Sequence, residues 1–103
     1  MPYIDKTMRE NLDENILNLK ENIISESTPD TIEGILNYVM SSLMETITLG
    51  DKWRYRHINR GIGVAECMKL ELYRRLAGPY EDKAKDTNGD IDVYINCLDN
   101  KKF

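Results

Sequence analysis

The sequence is poor in the residues that form most metal and catalytic centres. Its 103 residues include one histidine and two cysteines. Cys67 and Cys97 lack metal-ligand spacing, His57 has no nucleophile arranged beside it, and there is no glycine-rich phosphate loop. These absences exclude the recognised metal, nucleophile and phosphate-loop motifs. We therefore predict no catalytic residue, no metal site and no cofactor, in a protein that is not an enzyme.

Long hydrophobic runs are also missing. No apolar run approaches the roughly 18 residues that a membrane-spanning helix needs, and the N-terminus has no signal-peptide core. We expect a cytoplasmic protein without a membrane partner. Free thiols at Cys67 and Cys97 fit a reducing compartment, with a disulfide as the alternative.

Charge is distributed unevenly along the chain. The net charge of −4 argues against a protein dedicated to coating nucleic acid. Residues 1–50 hold 9 acidic and 3 basic groups, residues 51–76 hold 3 acidic and 7 basic, and residues 77–103 hold 6 acidic and 4 basic. The basic central segment either neutralises acidic neighbours, within the fold or in an oligomer, or presents a cationic surface to an anionic ligand.

Hydrophobic periodicity predicts three principal helices, over residues 8–24, 29–49 and 55–76. Each has aliphatic residues at spacings of three and four, which places them on one face of a helix. We predict a short fourth helical turn and an extended arm from Asp90. The fold class is therefore all-α, a small three-to-four-helix bundle with an extended C-terminal tail. Residues 1–94 form the single domain, and residues 95–103 form the tail.

Helix ends are marked by short local signals. Asp5 is a candidate cap for the first helix, and Thr28 followed by Pro29 is typical of a helix start. Gly50 favours a left-handed cap for the second helix, and Gly78-Pro79 is expected to end the third. Gly34 lies inside the second helix, where glycine costs about 1 kcal/mol relative to alanine. Close packing against another backbone would explain it.

The strongest candidate site is the start of the third helix. Aromatic rings can stack on bases, guanidinium groups pair with phosphate oxygens, and helix N-termini favour anions. The same residue types are common in protein interfaces, so both interpretations stay open. A lone histidine is usually a surface or capping residue, but it is kept in the candidate set. The set is Trp53, Arg54, Tyr55, Arg56, His57 and Arg60.

Three further candidates follow at helical spacing. Glu66, Lys69 and Tyr73 lie at the edge of the apolar face, where the first two are expected to be half-buried. A structural ion pair between Glu66 and Lys69 is one interpretation, and a polar ligand pocket between helices is the other.

Several stretches of the sequence resemble a family of small proteins that is associated with phages, prophages and their hosts and has no assigned function. They are MPYI at 1–4, GILNYVM at 34–40, RYRHINRGIGVAECMKLELYRRLAGPYEDK at 54–83 and NGD at 88–90. The resemblance covers most of residues 1–94 and implies a shared fold. It implies no catalytic or binding residue. A phage-encoded member would act in the host cytoplasm.

Together these patterns favour a non-enzymatic binding module of phage type. Its aromatic-basic residues would contact a protein partner or an anionic ligand. One alternative is an oligomer that sequesters a nucleotide or oligonucleotide. A magnesium-dependent nucleotide hydrolase using Glu66 is disfavoured, because no helix carries a Glu-x-x-Glu pair. Three helices would leave the longest one partly uncovered, so we expect a homodimer or larger homo-oligomer.

Overall fold

The computed structural model describes residues 2–100, and the regular structure in this range is entirely helical. This confirms the all-α class. The α-helices are α1 (Lys6–Glu26), α2 (Ile32–Met44), α3 (Tyr55–Leu72), α4 (Gly78–Asn88) and α5 (Asp92–Asp99). A 3-10 turn, Glu45–Thr48, extends α2, and a π-helical turn, Tyr73–Ala77, joins α3 to α4.

The predicted cap of α1 is correct, but α2 begins later than its predicted start. The backbone N–H of Met8 donates to the Asp5 carboxylate at 2.9 Å, which caps α1 as predicted. Residues 28–31 instead form a turn before α2, in which the Thr31 hydroxyl accepts from the Thr28 N–H at 2.9 Å. Helix α2 therefore begins at Ile32.

The second helix ends in two left-handed residues rather than one. Gly50 has φ +85°, as predicted, but Leu49 before it also has a positive φ of 53°. Leucine pays a steric cost in this conformation that glycine avoids. The Leu49 side chain is 95% exposed, so no packing contact offsets that cost.

The chain divides into two compact units, Met1–Ala65 and Glu66–Phe103. In the first unit, α1 packs against α2. The half-buried apolar residues of these helices belong to the C-terminal half of α1, to one stripe of α2 and to the last residue of α2: Leu19, Ile23, Ile32, Ile35, Val39 and Met44. The N-terminal half of α1 has no half-buried residue.

Close packing occurs at Gly61, not at Gly34 as expected. A Cβ on Gly61 would lie 3.2 Å from Met44 Sδ, whereas a Cβ on Gly34 would meet nothing within 4 Å. The end of α2 therefore contacts α3 at a glycine. Sequence alone does not show this contact, because the partner is a flexible side chain from another helix.

The helical path continues through Gly78-Pro79, where we expected it to break. Helix α3 ends at Leu72, and the Gly78 N–H donates to the Tyr73 carbonyl, which closes a wider π-helical turn. Pro79 lies in the first turn of α4, where its missing N–H costs little. The short helical turn expected here is consequently a helix of 11 residues.

The C-terminal segment differs from the extended arm that we predicted. Asp92–Asp99 form α5, and only residues 89–91 separate it from α4. Alternation around Ile91, Val93 and Ile95 indicated a strand, but a single strand has no partner here to satisfy its backbone groups. A helix satisfies them internally. Residues 101–103 of the predicted tail lie outside the described range.

The buried side chains among the described residues are polar rather than apolar. The described residues contain no buried hydrophobic side chain, and the buried side chains are those of Thr48 and His57. Gly61 of α3 is buried as well. Cys67 and Cys97 are both free thiols, as predicted. No helix within residues 2–100 combines the length and apolarity needed to span a bilayer.

Candidate functional site

The start of α3 is built on His57. The His57 Nδ1 accepts a hydrogen bond from the Arg54 backbone N–H at 2.9 Å, and the Arg54 carbonyl accepts from the His57 N–H at 3.0 Å. The bond from the Arg54 N–H to the imidazole matches one half of a capping box, with an imidazole in place of the usual carboxylate. In a neutral ring, an accepting Nδ1 places the proton on Nε2. His57 therefore fixes the backbone that carries Arg54.

Trp53 lies against the same imidazole. The ring centroids of Trp53 and His57 are 6.4 Å apart with planes at 80°, an edge-to-face contact. His57 is 4% exposed and Trp53 is 47% exposed. The histidine thus lies beneath the candidate surface and positions it. Whether it also contacts a ligand stays a prediction.

The guanidinium groups of the three candidate arginines have no partner within residues 2–100. Arg54, Arg56 and Arg60 form no side-chain hydrogen bond or ion pair there. Arg56 and Arg60 are four residues apart in α3 and share one helix face. Tyr55 stands between the first two and is 73% exposed. We call these four residues, which lie at the start of α3 but not on a single helix face, the arginine surface.

Trp53 belongs to a different surface. A depression of about 330 Å³ is lined only by apolar side chains and one glycine: Met44, Trp53, Ile58, Gly61, Ile62 and Ala65. We call it the apolar groove. At 100° per residue, Ile58 and Ile62 lie about 200° around α3 from Arg56 and Arg60. The predicted aromatic-basic set is therefore divided between two faces of one helix.

The later candidates lie in the second unit. The Lys69 Nζ and the Glu66 Oε1 form an ion pair at 3.4 Å, with side chains 71% and 54% exposed. The expectation that they are half-buried is wrong, because no helix of this unit covers that edge of α3. An exposed pair of this kind contributes little to stability.

Tyr73 has a partner that sequence spacing did not indicate. Its hydroxyl donates to the Glu81 Oε2 at 3.1 Å across the π-helical turn. The hydrogen bond to Glu81, the negative charge of that carboxylate and desolvation raise the pKa of Tyr73 above its ordinary value. On a regular α-helix, residues eight apart lie about 12 Å apart along the axis and about 80° around it, and the wider turn between Tyr73 and Glu81 changes that angle.

Sequence reasoning missed the apolar groove. Met44 comes from the end of α2 and Gly61 from α3, and only their close approach forms the depression. The available signal was Gly61 on the apolar stripe between Ile58 and Ile62.

Within residues 2–100, no group of three or more His, Cys, Asp or Glu side chains is placed to hold a metal ion.

Comparison with known proteins gives a family and no function. The family model described as "Domain of unknown function (DUF6899)" matches residues 1–91, most of the chain, so the protein belongs to this family. Neither the curated proteins nor the solved structures that were compared match it.

Proposed function

We propose that this DUF6899 member is a non-enzymatic binding module, and that the arginine surface is where it contacts an anionic partner. The observation that carries the proposal is the absence of any intrachain partner for Arg54, Arg56 and Arg60 among the described residues. The sequence offers 18 acidic side chains, so partners for three arginines are abundant. The fold leaves these three without one in the described part of the chain.

The geometry of this surface suits an anion. Guanidinium groups present a planar fork of donors that matches carboxylate and phosphate oxygens. Tyr55 adds an exposed ring between two of them. The first turn of α3 adds backbone N–H groups whose dipoles favour negative charge. His57 holds this turn in a single conformation, which lowers the cost of ordering it on binding.

An acidic protein surface is the first candidate partner. Arginine and tyrosine are enriched among the residues that dominate protein interfaces. The apolar groove on the other face of α3 offers no polar group, so it does not contribute to recognition of charge. Arg56 and Arg60, on the face of α3 opposite the groove, would therefore carry the recognition of charge from the helix itself.

A nucleotide or short oligonucleotide is the second candidate. The observation that favours it is the exposed Tyr55 ring, next in sequence to two arginines that have no partner in the described chain. An exposed ring can stack on a base, and guanidinium groups can pair with phosphates. Glu66, Lys69 and Tyr73 are not needed for either candidate. Hydrolysis of a nucleotide is not part of the proposal.

The test is a binding titration of the double variant Arg54→Ala plus Arg56→Ala. We would measure fluorescence anisotropy with a labelled single-stranded oligonucleotide and, separately, with a labelled poly-glutamate peptide, each at increasing salt. Binding by the native chain should weaken steeply with salt, because bound counterions are released from the ligand. The double variant should lose about tenfold or more in affinity, since each charged contact is worth about 1 kcal/mol.

The matched control is Lys83→Ala plus Lys85→Ala, which removes the same charge from α4. This control should bind as the native chain does. Equal weakening by both double variants would mean that net charge alone governs binding, and the proposal would fail. Preference for the oligonucleotide over the peptide selects the second candidate. No binding to either probe rejects both.

The biological setting extends this proposal. A role in phage or prophage biology, within the bacterial host cytoplasm, is supported by the resemblance of residues 1–94 to phage-associated proteins. Recovery of the partner from lysates of infected and uninfected cells, with the arginine double variant as bait control, tests that setting.

A further inference from the structure

Two apolar surfaces of the first unit are uncovered, one on α1 and one on α3. In the N-terminal half of α1, Met8, Leu12 and Ile16 are 45% to 55% exposed, although they continue the stripe on which Leu19 and Ile23 are half-buried. The apolar groove on α3 is open in the same way. One chain therefore carries both a free apolar ridge and a free apolar depression.

The accessible surface also exceeds what compact bodies of this size expose. The chain has 9430 Å² of accessible surface. Two separate compact bodies with the lengths of the two units would together expose roughly 7,000 Å². The excess is about 2,000 Å² per chain over both units, enough to supply the share that each partner of an obligate dimer buries.

We propose that a second copy of this chain covers these surfaces, with the N-terminal half of α1 from each copy lying in the apolar groove of the other. The lengths agree, since Met8 to Ile16 spans about 12 Å of helix and Ile58 to Ala65 about 10 Å. A two-fold axis makes the exchange reciprocal, so that ridge and groove are both filled in both copies.

A second copy of the chain would cover both the α1 ridge and the apolar groove at once. Any other protein filling the groove would leave the α1 ridge open, unless it also carried a matching groove. Arg56 and Arg60 lie on the opposite side of α3 and stay accessible in this dimer. The inference is therefore independent of the proposed function, and either can fail alone.

The first measurement is the mass of the native chain by multi-angle light scattering over a wide concentration range. We expect twice the mass of one chain, which is 12.0 kDa. The urea midpoint should rise with protein concentration, because unfolding would be coupled to dissociation. A folded monomer with a concentration-independent midpoint would overturn the proposal, as would any other stoichiometry.

The second measurement tests which surfaces meet. Leu12→Glu and Ile58→Lys should each yield monomers or unfolded chains, whereas mixing the two variants should restore dimers, because one ridge–groove contact then pairs opposite charges and the other is native. Leu70→Glu, about 120° around α3 from Ile58, is the matched control and should remain dimeric. Dimers of either single variant alone, or no recovery on mixing, would reject the assignment of ridge to groove.

Discussion

Two regions of the first unit invert the usual relation between polarity and burial. In the connection from the 3-10 turn after α2 to the first turn of α3, called the turn below, the polar side chains of Thr48 and His57 are buried and hydrogen-bonded. In the N-terminal half of α1, the apolar side chains of Met8, Leu12 and Ile16 are exposed. The turn is complete within one chain, because hydrogen bonds and one glycine contact satisfy it locally. The stripe needs another surface to exclude water.

The largest loss of stability should come from removing the His57 imidazole. His57→Ala deletes a buried ring and the acceptor for the Arg54 N–H, so the free energy of unfolding should fall by about 2 kcal/mol. Tyr55→Ala, two residues earlier and largely exposed, should change it by less than about 0.5 kcal/mol. Urea denaturation at one fixed protein concentration measures both. Equal losses would show that the turn is not specifically packed.

Two glycines of α3, Gly61 and Gly63, differ in how closely they are packed. Gly61→Leu must displace Met44, so overpacking should lower stability by about 1–2 kcal/mol despite the better helix propensity. Gly63→Leu meets nothing within 4 Å and should gain up to about 1 kcal/mol. The two thermal midpoints should move in opposite directions. A gain at both positions would contradict close packing at Gly61.

Leu49 lies in the turn, but its apolar side chain is exposed to solvent. Leu49→Asn should stabilise the protein by about 0.5–1 kcal/mol, because asparagine tolerates the left-handed backbone conformation better than leucine. Leu49→Val, with a β-branched side chain, should destabilise it. Chemical denaturation of both variants checks the sign. Loss of stability in the asparagine variant would mean that the exposed leucine has a packing partner.

The smallest effect should come from the exposed polar contact of the second unit. The raised pKa of Tyr73 means that the folded state holds the phenolic proton more firmly than the unfolded state. The contribution of this contact is therefore complete below the ordinary tyrosine pKa of 10.0 and is lost as pH rises through the folded value. Glu81→Gln should lower the Tyr73 pKa, measured by tyrosinate absorbance against the Tyr73→Phe variant. An unchanged titration would show that Glu81 is not its partner.

Sequence periodicity predicted the three long helices because each apolar stripe is continuous over several turns. It failed where structure depends on a contact between distant residues. Gly61 lies on an apolar stripe and Gly34 does not, but only the position of Met44 shows that Gly61 is closely packed. The helix Asp92–Asp99 was missed because period-two alternation over a few residues does not separate a strand from a short helix.

The candidate site was only partly predictable for a similar reason. The residue types in the segment 53–60 were visible, but their division between the arginine surface and the apolar groove follows from where α3 begins. His57 was recognised as a capping candidate, yet its burial required the edge-to-face contact with Trp53. Whether a guanidinium group has a partner depends on the placement of acidic side chains from other turns, which spacing along the chain does not encode.

Pro79 restricts where the π-helical turn Tyr73–Ala77 can lie along the chain. A widened turn contains one residue more than a regular one, and that extra residue could in principle occupy another position along the helix. Pro79 prevents such migration past its own position, since its ring clashes with the carbonyl of a regular preceding turn. The rotational phase of every side chain in α4 is thus fixed by one imino acid, and replacing it with alanine would give the helix a choice of registers.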